Sequence, residues 1–248
     1  MITLTSSALS PPLPFADARA IAQPPEYSPA VTDRVYRAAS IYLSVPLARI
    51  GVLPNAITMA WIVLGLAAIT LLSAGSYAVR VAGALLLQFA YLLDYVDGEV
   101  ARLNDRRSRF GEFLDLLGHG LHKVVLPFAV AWVASGAGGQ PRWLLAGVAA
   151  TAVLAVGDAS RFYVACVAGD FRSGDLGHTA RPRPPRLTIG RLASALFFVS
   201  FETPGLYAIA ALAAIGDLWA PLIVWWAVGG PVWIICRTHR YSTRLRAV

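Results

Sequence analysis

The chain has 248 residues, 57% of them hydrophobic and 14% charged, with a formal net charge of +7. A soluble domain carries about 25% charged residues, so this composition excludes a water-soluble globular protein and points to a polytopic helical membrane protein built as one domain. The 21 basic residues fall mostly between apolar stretches and form no basic helix with interleaved aromatics, which excludes a nucleic-acid partner and assigns them to membrane orientation.

Residues 1–30 carry Pro11, Pro12, Pro14, Pro24, Pro25 and Pro29 and lack a basic start followed by an apolar core. They read as a disordered cytoplasmic tail rather than a signal peptide. Residues 31–248 read as the membrane domain. At its start, Val35, Ala38, Ala39 and Tyr42 recur at helical spacing among Arg34, Arg37 and Arg49. That pattern predicts an amphipathic helix lying in the membrane interface, interrupted near Pro46.

Six transmembrane spans follow, at about 55–74, 77–100, 110–133, 143–166, 192–214 and 218–236. Each is near the ~20 residues that cross hydrocarbon. The fifth is interrupted by Glu202 and Pro204. The fold class is therefore all-α, six spans preceded by an interfacial helix. Arg102, Arg106, Arg107 and Arg109 lie between spans two and three, Arg172, Arg181, Arg183, Arg186 and Arg191 between four and five, and Arg237, Arg240, Arg244 and Arg246 after span six. The other side holds only Arg80 and Arg142, so both termini are expected in the cytoplasm. Cys166 and Cys236 end apolar runs on that side and are expected as reduced thiols; no zinc spacing is present. Trp219, Trp225, Trp226 and Trp233 belong to span six and read as interface anchors and lipid-packing residues.

The chemistry concentrates in Asp94-Tyr-Val-Asp97-Gly98-Glu99-Val-Ala101-Arg102, followed after eight residues by Gly111-Glu-Phe-Leu-Asp115-Leu-Leu-Gly-His119. Asp94 and Asp97 share a helix face, and Ala101 continues it. Small residues there let another helix approach. Asp115 and His119 share a face of the next span, which a short connector makes an antiparallel neighbour. Isolated acids at a helix end can be solvated or paired with Arg102 and Arg106. Three acids facing each other inside a membrane are instead functional by default. A divalent cation resolves their repulsion; oxygen ligands suit Mg²⁺ or Mn²⁺, and hard cations beside phosphate imply phosphoryl chemistry.

This run resembles the signature of the CDP-alcohol phosphotransferase (phosphatidyltransferase) family, D-x2-D-G-x2-A-R-x8-G-x3-D-x3-D, matched by Asp94, Asp97, Gly98, Ala101, Arg102, Gly111 and Asp115. The segment Pro54-Asn55-Ala-Ile-Thr58 is also similar to that family. The resemblance implies a six-helix fold, a homodimer and a polar cavity open to the cytoplasm. It implies a CDP-linked donor such as CDP-diacylglycerol, an alcohol acceptor, release of CMP and a place in phospholipid biosynthesis. By position, Asp94, Asp97 and Asp115 would bind one or two metal ions, Gly98, Ala101 and Gly111 would make room for the CDP moiety, and Arg102 would support it electrostatically.

The family's last acid is His119 here. An imidazole can be a base or a metal ligand, so His119 is the candidate for both. Another base, such as Glu112, or a nucleotide- and metal-binding chain with weak or no catalysis are the alternatives. His122 reads as a histidine satisfied inside the bundle. Arg161 would pair with Asp158, or would join Arg191 or Arg186 in binding an anionic acceptor. A cation transporter is the competing function class; it expects acids spread across the bilayer, whereas these cluster at one end.

Overall fold

The computed structural model describes residues 14–24, 31–136, 138–168 and 189–245. The described residues are helical, in nine helices: α1 (Phe15–Ala22), α2 (Val31–Arg49), α3 (Pro54–Leu72), α4 (Tyr77–Leu103), α5 (Arg109–Ala134), α6 (Pro141–Ala168), α7 (Ile189–Val199), α8 (Thr203–Gly216) and α9 (Trp219–Leu245). Five of them, α3, α4, α5, α6 and α9, contain segments long and apolar enough to cross a membrane, and the protein is an integral membrane protein.

The sequence's fifth span is two helices. Glu202 precedes α8, which has proline in its first turn; proline lacks the amide proton that would continue α7. At about 1.5 Å per residue, α7 and α8 together cover the length of one crossing. Proline acts differently in α2, which runs through Pro46 to Arg49. There Pro46 sits within a turn of the helix end, and its carbonyl still accepts from Ile50 N at 3.1 Å.

The stretch expected to be a disordered tail contains α1, which docks on α4 and α2 and buries Ala18 and Ala22. Glu99 of α4 fastens this junction. It is fully buried, and its carboxylate accepts hydrogen bonds from Gln23 Nε2 at 2.7 Å, Ser40 Oγ at 2.7 Å and Ser44 Oγ at 2.6 Å. The serine face of α2 thus turns inward, while Val35, Ala38, Ala39 and Tyr42 form its exposed apolar stripe. That arrangement suits a helix lying between protein and lipid.

Among the long helices, α3 packs on both α4 and α5, α5 packs on α6, and α9 packs on α5 and α6. Two glycines allow the α3–α5 crossing: a Cβ at Gly118 would overlap Trp61 and Ile62, and one at Gly65 would overlap the His122 ring. The tryptophans of α9 depart from the lipid-facing expectation. Trp219, Trp226 and Trp233 are buried, and only Trp225 is exposed. The reason is local: Gly157 of α6 leaves a notch that the Trp233 ring fills, and Phe201 stacks on the same ring at 5.6 Å.

At one end of the bundle Arg80 pairs with Asp217 at 3.5 Å and Tyr77 Oη donates to Ile215 O at 2.9 Å. The start of α4 and the end of α8 therefore share that end. The end of α4 and the start of α5 lie at the other.

Candidate functional site

The site is built where α4 ends and α5 begins. Ser108 N-caps α5, its hydroxyl accepting from Gly111 N at 3.0 Å, and Asp105 turns the chain with φ +50°, a conformation short acidic side chains tolerate. The helices do not pack side by side as the short connector suggested. Both lean on α3, and their polar side chains meet across the gap. One ligand atom each of Asp94, Asp115 and His119 lies within 4.8 Å of the others. His119 Nε2 is 3.4 Å from Asp94 Oδ1 and 3.4 Å from Asp115 Oδ1. His119 Nδ1 is buried without a hydrogen-bond partner among the described residues, so the imidazole's polar engagement is through Nε2.

Asp97 stands outside this group. It is buried, and its Oδ2 accepts from Thr58 Oγ1 at 2.6 Å and from Trp61 Nε1 at 3.0 Å. Asp94 and Asp115 act on it electrostatically, so the four sequence-predicted metal residues form a triad with one carboxylate braced behind it. Trp61 was not legible as a site residue. Its ring centroid lies 5.1 Å from that of His119 and 5.2 Å from that of His122. The available signal was its position one turn after Thr58, on the same face of α3.

The small residues behave unevenly. A Cβ at Gly111 would lie 2.9 Å from Asn55 Oδ1, and one at Gly98 would lie 3.3 Å from Arg102 Nη1. Gly111 thus keeps α5 close to the start of α3, and the Arg102 guanidinium lies against Gly98. Ala101 is half-buried. Arg102 Nε donates to Ala22 O at 2.6 Å, which ties the end of α1 to the acidic helix, a contact the sequence did not announce. Glu112 is exposed in the first turn of α5 and does not belong to the triad.

Beneath the triad lies a second polar layer. His122 is fully buried, Nδ1 against Tyr207 Oη and Nε2 3.0 Å from Ile62 O, and is satisfied as expected. Gln88 Nε2 donates to Tyr207 O at 2.8 Å, and the Gln88 carbonyl accepts from Tyr36 Oη. Asp158 pairs with Lys123, Nζ to Oδ1 at 2.6 Å, a partner the residue spacing does not suggest. The side chains of Arg161 and Arg191, and all of Arg186, lie outside the described residues. Of the two cysteines, Cys236 is a free thiol, and the Cys166 side chain lies outside the described residues.

Two carboxylates and an imidazole converging from two helices are a donor set that could hold a divalent metal ion. Three acids beside one imidazole favour such an ion, because like charges brought together in low dielectric repel strongly. A protein-family model described as CDP-alcohol phosphatidyltransferase matches residues 51–233. No curated protein matches the chain.

Proposed function

From its membership of the CDP-alcohol phosphatidyltransferase family, to which this chain belongs, we propose that it moves a phosphatidyl or phospho-alcohol group from a CDP-linked donor to an alcohol hydroxyl and releases CMP in phospholipid biosynthesis. The observation that carries this reading is the meeting of Asp94, Asp115 and His119 from the two helices of the acidic run.

Asp94 and Asp115 would hold Mg²⁺ or Mn²⁺, with Asp97 braced beside them by Thr58 and Trp61 and His119 Nε2 kept off the ion as the base. Such an ion supplies charge neutralisation to the donor pyrophosphate. Gly98, Ala101 and Gly111 leave room for the CDP moiety, and Arg102 supports it. His119 takes the proton of the acceptor hydroxyl. The acceptor oxygen forms a bond to the phosphorus not attached to cytidine, the bond from that phosphorus to the bridging oxygen breaks, and CMP leaves with the electron pair. Positioning and electrostatics supply most of the rate. CDP-diacylglycerol is the donor we favour. Arg161 and Arg191 are the sequence's candidates for an anionic group on the acceptor. The protein works as a homodimer in the cytoplasmic membrane, with the site and both termini on the cytoplasmic side, as the loop arginines indicate.

Purified protein should release CMP from CDP-diacylglycerol only with Mg²⁺ or Mn²⁺ and an alcohol present. Asp115→Ala should lower turnover roughly 10²–10³-fold, the scale of losing one preorganised electrostatic group. Wild-type turnover in Asp115→Ala would sink the assignment.

A second reading, binding with weak or no catalysis, is motivated by His119 Nε2 lying between Asp94 and Asp115. His119→Asp separates the two. A large gain in CMP release marks a degenerate site, and loss marks a working histidine.

A further inference from the structure

Lys123 and Asp158 form an ion pair within the bundle, 2.6 Å apart, with side chains 2% and 23% exposed. Neither belongs to the acidic run. Lys123 lies one turn beyond His119 and two beyond Asp115 on the same face of α5, about 6 Å further along the helix than His119. Its ammonium acts electrostatically on His119. Asp158, across on α6, acts on Tyr207, which also feels Asp94 and Asp115. The pair and the triad therefore share one polar region.

Stability does not explain the pair. Ionisable side chains in membrane helices are costly, and a buried ion pair is often no better for the fold than well-packed apolar residues. The neighbouring polar groups do not call for it either, since His122 and Tyr207 satisfy each other. The difference in exposure is informative. The ammonium is sealed in and fixes Oδ1, while the carboxylate is the exposed member. A carboxylate offers about four lone-pair sites, so Asp158, the less buried member, has acceptor capacity beyond Lys123.

We propose that Asp158, held by Lys123 beside the Asp94–Asp115–His119 triad, binds the acceptor alcohol by accepting a hydrogen bond from a second donor group on it, a hydroxyl or an ammonium. Lys123 is the positioning residue. With the reacting hydroxyl at His119, the second donor reaches past the turn of α5 that carries Lys123 to Asp158 on α6, so the acceptor carries its two groups on separate carbons. This specificity rests on the functional reading above.

The test uses full-length protein in detergent with three acceptors matched in chain length: a diol, an amino alcohol and a monohydroxy analogue. Asp158→Asn should raise KM for the diol or the amino alcohol roughly 10- to 100-fold, the equivalent of one hydrogen bond to a charged group. Donor KM, Mn²⁺ affinity by calorimetry and KM for the monohydroxy analogue should stay unchanged. Whichever of the first two acceptors shows the larger effect names the group. The double variant Lys123→Met/Asp158→Leu replaces the pair with apolar packing. It should keep wild-type thermal stability yet lose discrimination between the three acceptors, and it serves if Asp158→Asn fails to fold. Wild-type acceptor KM values in the double variant, or an equal loss for all three acceptors, would overturn the proposal. Absence of CMP-nucleotide and Mn²⁺ binding by the wild type would instead remove the functional reading beneath it.

Discussion

Asp97 shows how one carboxylate can be placed by its neighbours. Thr58 and Trp61 both donate to the same oxygen, Oδ2, which fixes the rotamer and leaves Oδ1 to face elsewhere. Trp61 also walls His119, so one side chain orients two groups of the site. Trp61→Phe keeps most of the ring and drops the N–H donor. The loss of one of two hydrogen bonds should cost about 1 kcal/mol. We expect a several-fold fall in turnover and a higher Mn²⁺ requirement, while Trp61→Ala, which also opens a cavity beside Gly118, should be far less stable. A metal titration of activity for Trp61→Phe that overlays the wild-type curve would show that Thr58 alone suffices. The sequence could pick out Asp94, Asp97, Asp115 and His119 because intramembrane acids are rare and costly. It could not pick out Trp61, since a tryptophan in a hydrophobic span is ordinary until its partner is known.

The helical elements differ in how much of their environment the pattern of residues reveals. The long spans α3, α4, α5, α6 and α9 were legible within a few residues, because an unbroken apolar run of that length has few alternatives. α1 was not. It has eight residues, too short to be stable alone, and its docking depends on Glu99 and Arg102, some eighty residues away along the chain. Glu99→Leu removes the carboxylate that Gln23, Ser40 and Ser44 share and leaves them only the backbone acceptors Arg37 O and Ser40 O, a loss of about 0.5–1.5 kcal/mol per hydrogen bond. We predict that this variant releases α1 and the serine face of α2. Hydrogen exchange should then show faster exchange at residues 15–49, with α5 and α9 protected as before. Unchanged protection in α2 would mean that its packing against Ile57, Val96 and Val100 holds it without the carboxylate.

At the scale of the whole molecule, topology is the testable quantity. The Arg80–Asp217 pair sets the end of α8 beside the start of α4, so α7 and α8 together act as a sixth crossing. Single cysteines replacing Arg142 and Asp217, in a Cys166→Ser/Cys236→Ser background, should be labelled from the same side of sealed vesicles. A cysteine replacing Arg106 should be labelled from the opposite side. Labelling of positions 217 and 106 from one side would reduce the crossings to five and move the C-terminus across the membrane.

What the sequence determined by itself is what depends on local spacing and on the cost of polar groups in lipid. Those two rules give the membrane class, the long spans and the grouping of acids at one end. What only the tertiary structure decided is which groups meet. Asp94, Asp115 and His119 converge across a gap between two helices that lean on a third, Asp97 is held back by α3, and Asp158 meets Lys123 of another helix. The physical reason is that helix faces follow from periodicity, whereas their mutual rotation and separation follow from side-chain volume at the crossings. Here Gly65, Gly118 and Gly157 set those crossings by admitting His122, Trp61 and Trp233, and that information is absent from any single segment of the chain.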